Sequence, residues 1–129
     1  MLWEINPGKS VGQLHFGMTR EQVINCLGNS YDEFRRTSVS ENLITAYDNE
    51  GLHLVFNQEG KLEQVSIFFP NEAILGSIQL LGRDIGIINQ ELIDGGFIIE
   101  TVDAGLWCAH AKILVIEAEG QVDGVEVHI

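Results

Sequence analysis

Positive charge is what this chain has least of. Seven Lys and Arg stand against nineteen Asp and Glu in 129 residues, a formal net charge of −12. Proteins that hold nucleic acid through its phosphates need clustered Lys and Arg, and none cluster here, so that class of function is not expected. Cysteine is scarce as well. Cys26 and Cys108 are the only two, and both are read as reduced packing residues of a cytosolic chain. His15, His53, His110 and His128 stand singly, without the short spacing of a zinc site. No apolar run approaches the roughly 18 residues of a membrane span, and the first residues lack the basic and apolar regions of a secretory leader. The expectation is a soluble, cytoplasmic protein.

Catalytic signatures are missing too. There is no Gly-x-Ser-x-Gly elbow and no dinucleotide fingerprint. Gly8-Lys9-Ser10 suggests a phosphate loop, but Trp3 stands where that motif needs its first Gly. Cys26 falls near the C-terminal end of a predicted helix, where the dipole disfavours a thiolate. Nothing sets one pair of carboxylates apart from a solvated acidic surface. The sequence points to binding without catalysis, with no cofactor and no metal.

The clearest positive signal is the stretch from Phe16 to Gly28. Thr19 is an N-cap type, and Gln22 three residues on can return a bond to the Thr19 N–H, which is a capping box. Met18 and Val23 are placed to form the hydrophobic staple, Glu21 suits the first turn, and Val23, Ile24 and Leu27 make an apolar stripe that Gly28 ends. A helix this short is marginal in water alone, so it must lie on a sheet.

Short β-type runs follow. Residues 43–47 and 52–56 read as strands around a turn at 48–51, residues 57–60 turn the chain, and 61–69 form a third strand closed by Pro70. Residues 2–10 contain Asn-Pro-Gly and read as a lead-in segment, with Trp3 folding back onto the core. The polar residues 37–42 read as a turn or loop. A shift of 60 positions superposes Leu62, Val65, Ile67 and Phe69 on Val122, Val125, Val127 and Ile129. Both copies carry one three-residue step that breaks the alternation, which predicts a β-bulge in each. A shift of 65 sets Gly82, Ile88 and Leu92 on Gly17, Val23 and Leu27, with Asp84 where Thr19 caps, predicting a second helix over 84–93. Gly86 and the missing capping box make it the less well specified of the two. Residues 97–102, 105–110 and 111–117 supply further strands. The expected fold is α+β: one domain over 1–129, made of tandem helix plus antiparallel β-meander repeats, about 1–70 and 71–129, sharing one core.

Gly17-Met18-Thr19, Val23 and Leu27-Gly28 resemble the opening of the SmpA/OmlA-type lipoproteins and of β-lactamase inhibitory protein-like chains, although Asn29 stands where that pattern has Pro. The resemblance implies a helix-plus-antiparallel-sheet unit that works by binding protein.

Charge is also uneven. Residues 71–129 carry ten acids against Arg83 and Lys112, a net of −8. One reading is a solvated surface that keeps the protein soluble; the other is a face that meets a basic partner. For the second, Asp103, Glu117, Glu119, Asp123 and Glu126 are expected to flank turns and form the partner-binding rim. Trp107 is either a half-buried core aromatic or the central apolar anchor. The expected function is a cytosolic immunity protein that neutralises a toxin, a basic nuclease domain being the partner that suits an acidic inhibitor. The alternative is an assembly module of the SmpA/OmlA kind. The oligomeric state is left open.

Overall fold

The computed structural model describes residues 2–35 and 43–129. The loop expected over 37–42 lies outside the described residues. Strands β1 (Leu2–Asn6), β2 (Ser10–Val11) and β3 (Leu14–His15) precede helix α1 (Arg20–Leu27). Then come β4 (Asp32–Arg35), β5 (Leu43–Tyr47), a 3-10 turn at Asp48–Glu50, β6 (Leu52–Phe56) and β7 (Leu62–Phe68). The chain continues through β8 (Glu72–Leu75), β9 (Ile78–Gln79), helix α2 (Ile85–Asp94), β10 (Ile99–Val102), β11 (Gly105–Cys108), β12 (Ile113–Ala118) and β13 (Gln121–His128). The class is mixed α+β, mostly antiparallel sheet with two helices.

Helix α1 starts as its sequence dictates. The Gln22 N–H donates to Thr19 Oγ1 at 3.2 Å and the Thr19 N–H donates to Gln22 Oε1 at 2.9 Å, closing the capping box. At the other end the Gly28 N–H donates to the Ile24 carbonyl at 2.7 Å, and the Tyr47 hydroxyl donates to the Gly28 carbonyl at 2.8 Å. Burial pushes the Tyr47 hydroxyl above its ordinary pKa, and Tyr31 adds to this, while Arg20 opposes it. Helix α2 has only the Asp84 carboxylate as cap, accepting from the Ile87 N–H at 3.1 Å. A second device holds it. Arg83 donates to the Gln79 carbonyl at 2.9 Å and forks onto the Glu91 carboxylate, which raises the Arg83 pKa and lowers that of Glu91. The pair ties the helix to the chain leaving β9 and offsets the weaker start.

The larger sheet has eight strands in the order β10-β11-β12-β13-β7-β6-β5-β4, every neighbouring pair antiparallel. The bulges predicted from the three-residue steps are present. Phe56 faces Leu62 while Val55 faces Gln64, so Glu63 is the extra residue; Glu117 faces Val122 while Ile116 faces Gly124, so Asp123 is extra. The bulge carbonyls do not go unpaired. The Phe69 N–H donates to the Asp123 carbonyl at 2.9 Å and the Ile129 N–H to the Glu63 carbonyl at 3.0 Å, so each bulge is closed by the end of the other long strand.

The smaller sheet corrects the reading of residues 2–10 as a lead-in. Its order is β3-β2-β1-β8-β9, with β1 in the middle, antiparallel to β2 and parallel to β8. Trp3 and Ile5 alternate with Leu2, Glu4 and Asn6, which is a strand pattern too short to outweigh the Asn-Pro-Gly that follows. Trp3 is 1% exposed, so its side chain does lie in the core, but as part of a central strand and not of a tail folded back. The hairpin strands β2 and β3, and likewise β8 and β9, give only two to four residues each for periodicity to act on.

Residues opposite one another on paired strands share a face. Leu106, Val115, Val125, Ile67, Leu52 and Tyr47 stand opposite one another in turn across six strands, and all are in the core. A second inward row runs Cys108, Ile113, Val127, Val65 and Leu54 to the buried Thr45, whose hydroxyl accepts from Arg20 Nη1 at 3.1 Å. Val23 of α1, Ile88 and Leu92 of α2, and Trp3, Ile5, Val11, Leu14, Ala73, Leu75 and Ile78 of the smaller sheet join the same apolar cluster. Both helices and the smaller sheet therefore bury their apolar residues on one side of the eight-stranded sheet.

Candidate partner-binding face

The opposite side of that sheet follows from the same registers. One row crosses all eight strands: Glu100, Trp107, Leu114, Glu126, Ser66, His53, Ala46 and Asp32. A row on one side of it runs Val102, Gly105, Ile116, Gly124 and Phe68; on the other side lie His128, Gln64, Val55, Ile44 and Phe34. Among the described residues, no Lys or Arg stands in these rows, and toward β5–β7 the face is closed, with Ser66, Ala46, Ile44 and Val55 buried.

Aromatic rings mark it. His53 lies edge-on between Phe34 and Phe68, with centroids 5.5 Å and 4.8 Å away. The Phe68 ring lies over Gly124, where an added Cβ would come within 2.9 Å of it, so the glycine leaves room for the ring to lie flat on β13. Trp107 meets His128 edge-on at 6.0 Å, and His128 Nε2 is 3.3 Å from Glu126 Oε1. The centre of the face thus combines rigid rings with acceptors, while Phe34 at its edge is 42% exposed.

Of the six residues singled out in the sequence, Trp107 and Glu126 come together here, separated by Leu114. Trp107 is partly exposed, on β11. Glu126 does not flank a turn: it sits well inside β13, which continues to His128, and its side chain is only 14% exposed. The other four gather at one end of the sheet. Asp103 is in the β10–β11 turn, and the Glu117 N–H donates to the adjacent Ala104 carbonyl at 2.9 Å. Glu117 also has a local task, since its carboxylate accepts from the Gly120 N–H at 3.0 Å and shapes the turn. Glu119 adopts a left-handed φ of 54° in that turn, and Asp123 is the bulge residue. All four are exposed.

Sequence reasoning missed Phe34, His53, Phe68 and His128 as members of this face. The signal was present: Leu52, Leu54 and Phe56 point inward, so His53 and Val55 must point outward.

At the β4–β7 side, two open clefts flank the 3-10 turn. One of about 510 Å³ is lined by residues 48–53 and 68–71; the other, of about 400 Å³, by Asn29, Ser30, Tyr31, Asp32, Ala46, Asp48 and Asn49. Asn71 holds the wall between turn and strand, its Nδ2 donating to the Glu50 carbonyl at 2.7 Å and the Gly51 carbonyl at 3.3 Å. Among the described residues, no three His, Cys, Asp or Glu side chains are grouped to hold a metal, and no helix is long and apolar enough to cross a membrane. Comparison with family models, curated proteins and solved structures finds no match to this chain.

Proposed function

We propose that the chain is a non-catalytic inhibitor of the immunity type, a cytosolic protein that seats a basic partner on the outer face of its eight-stranded sheet and so covers the partner's active site. The observation that carries this reading is the face itself: it bears Phe34, Phe68 and the partly exposed Trp107, has no Lys or Arg in its rows, and is edged at one end by the exposed Asp103, Glu117, Glu119 and Asp123. Aromatic residues at the centre of an interface dominate dissociation, and charges at its rim speed encounter with a partner of opposite sign. A toxic nuclease suits the role, since it must present basic residues to phosphates.

The same proposal includes the architecture. The equivalent bulges at Glu63 and Asp123, their mutual closure, and the two helix caps bridged to Lys61 and Gln121 support two copies of one helix-plus-meander unit around a common core, as the likeness to β-lactamase inhibitory protein-like chains implies. Strand β1 stands outside the duplication and joins the two hairpins of the smaller sheet.

The test is capture of the partner from the native host, then binding kinetics at two salt concentrations. Trp107→Ala is expected to speed dissociation about 30-fold or more, the scale of an anchor worth roughly 2 kcal/mol or above. Reversal of Asp103, Glu119 and Asp123 to Lys is expected to slow association and flatten its salt dependence. Association indifferent to salt and to these reversals, with dissociation unmoved by Trp107→Ala, would return the charge to solubility and the face to no partner.

A further inference from the structure

We propose that the free edge of β10 receives an extended strand of the basic partner, paired antiparallel and placing a Lys or Arg opposite Glu100; the assignment rests on the protein-binding reading above. The direction of the backbone groups follows from one hydrogen bond. The Glu117 N–H donates to the Ala104 carbonyl at 2.9 Å, so Ala104, and with it Leu106 and Cys108, turn their backbone groups toward β12. Gly105 and Trp107 then turn toward β10 and bond their partners Val102 and Glu100. The N–H and C=O groups of Ile99 and Thr101 are left pointing away from the sheet, and among the described residues no turn or cap bond reaches them. They form a template for one more strand.

The two outermost strands of the sheet differ. Strand β4 carries Asp32, Glu33 and Arg35 among its four residues, with Glu33 Oε2 3.6 Å from Arg20 Nη2, and charge of this kind blunts an edge. Strand β10 reads Ile-Glu-Thr-Val, its register with β11 is unbroken, and no Lys, Arg or Pro lies between Phe97 and Asp103. Phe97 and Ile99 pack against the core, while Ile98, Glu100 and Val102 alternate onto the outer face, where Ile98 is 71% exposed. Charge decides the occupant. A second copy of this chain, in the antiparallel register that bonds both Ile99 and Thr101, would set Glu100 directly opposite the same residue of the copy, and like charges so placed destabilise a sheet. A strand with a cation opposite Glu100 and apolar residues two positions to either side meets Glu100, Ile98 and Val102 without that conflict. Glu100 stands beside Trp107 in one row of the outer face, so a partner lying on that face reaches the edge of β10 without a break.

The experiment needs no captured partner. The full chain, labelled for amide NMR, is titrated with the designed strand acetyl-Thr-Val-Thr-Arg-Thr-Val-Thr-amide, with the same peptide carrying Glu in place of Arg, and with a third in which the two Thr residues flanking Arg are N-methylated. Expected with the first are saturable shifts confined to residues 98–103 and 105–108. At nine-tenths occupancy the exchange of the Ile99 and Thr101 amide hydrogens should fall about tenfold, since they are open only in the free chain. The Glu peptide should bind about tenfold more weakly, an attraction across the strands being replaced by a repulsion. The N-methylated peptide should bind about thirtyfold more weakly, having lost two backbone donors. Glu100→Lys should reverse the preference, taking the Glu peptide over the Arg peptide, and that rescue shows that the variant is folded. Absence of saturable shifts, an N-methylated peptide that binds like its parent, or an unchanged preference in Glu100→Lys each overturn the proposal. A free chain that sediments as a dimer with its Ile99 and Thr101 amides already protected gives the edge to a second copy instead. Each of these failures is separate from failure of the docking face, which is read from Trp107→Ala and the captured partner alone.

Discussion

Trp3 gives the sharpest test of the idea that β1 is the middle of the smaller sheet. Its side chain is 1% exposed, and truncation of a buried Trp to Ala costs about 3–5 kcal/mol, a large part of the roughly 5–15 kcal/mol that a domain of this size has. That corresponds to a fall in melting temperature on the order of 10–20 °C. Trp3→Phe should be much milder. The indole Nε1–H is shielded and has no acceptor, so replacing it by Phe removes an orphan donor that costs about 1–3 kcal/mol while giving up part of the ring's packing. The two effects oppose, and the net change is expected within about 1 kcal/mol of the parent.

Gly12 makes the argument specific to this packing. It has a φ of 58°, and a Cβ added there would stand 2.7 Å from Trp3 Cε3 and 3.1 Å from Cζ3. Gly12→Ala therefore carries a backbone cost of about 1–2 kcal/mol plus a clash with a ring that close packing does not let move freely. In the Trp3→Ala background only the backbone part remains, so the double-mutant cycle should show a coupling of about 1–2 kcal/mol. Urea unfolding followed by far-UV circular dichroism measures all four corners without relying on tryptophan emission. Additive effects, together with Trp3→Ala costing under about 1 kcal/mol at an unchanged slope, would refute a central β1 with Trp3 under the β2–β3 turn.

Two further outcomes follow from the helix ends. Thr19→Ala removes the acceptor of the Gln22 N–H at an exposed cap, with an expected cost of about 1 kcal/mol; an unchanged midpoint and slope in urea would mean that the cap contributes nothing. Tyr47 holds its proton more tightly folded than unfolded, so its contribution is fully present below the ordinary tyrosine pKa of about 10 and is lost as pH rises through the raised folded value. Tyr47→Phe should therefore cost about 1 kcal/mol near neutral pH, from the lost bond to the Gly28 carbonyl, and should flatten the decline of stability above about pH 10. A variant that keeps the parent's full alkaline decline would show that another group is responsible.

Local chemistry was enough for part of this protein. The capping box at Thr19, the Asp84 cap, the turns, the meander strands and both bulges could be read from residues that are neighbours in the chain, because caps and bulges are settled by side chains within a few positions. The acidity of the whole chain was equally legible. What tertiary structure decided is everything that depends on pairing at a distance. Strand β1 becomes central only because β8, some 70 positions later, lies parallel beside it, and no local pattern announces a parallel partner. The outer face exists only because β7 pairs with β13, which sets His53, Phe68, Trp107 and His128 on one surface from four separate strands. Alternation determined that His53 points away from Leu52 and Leu54. That this side is the outer one, away from the apolar cluster that both helices join, depended on where the helices came to rest.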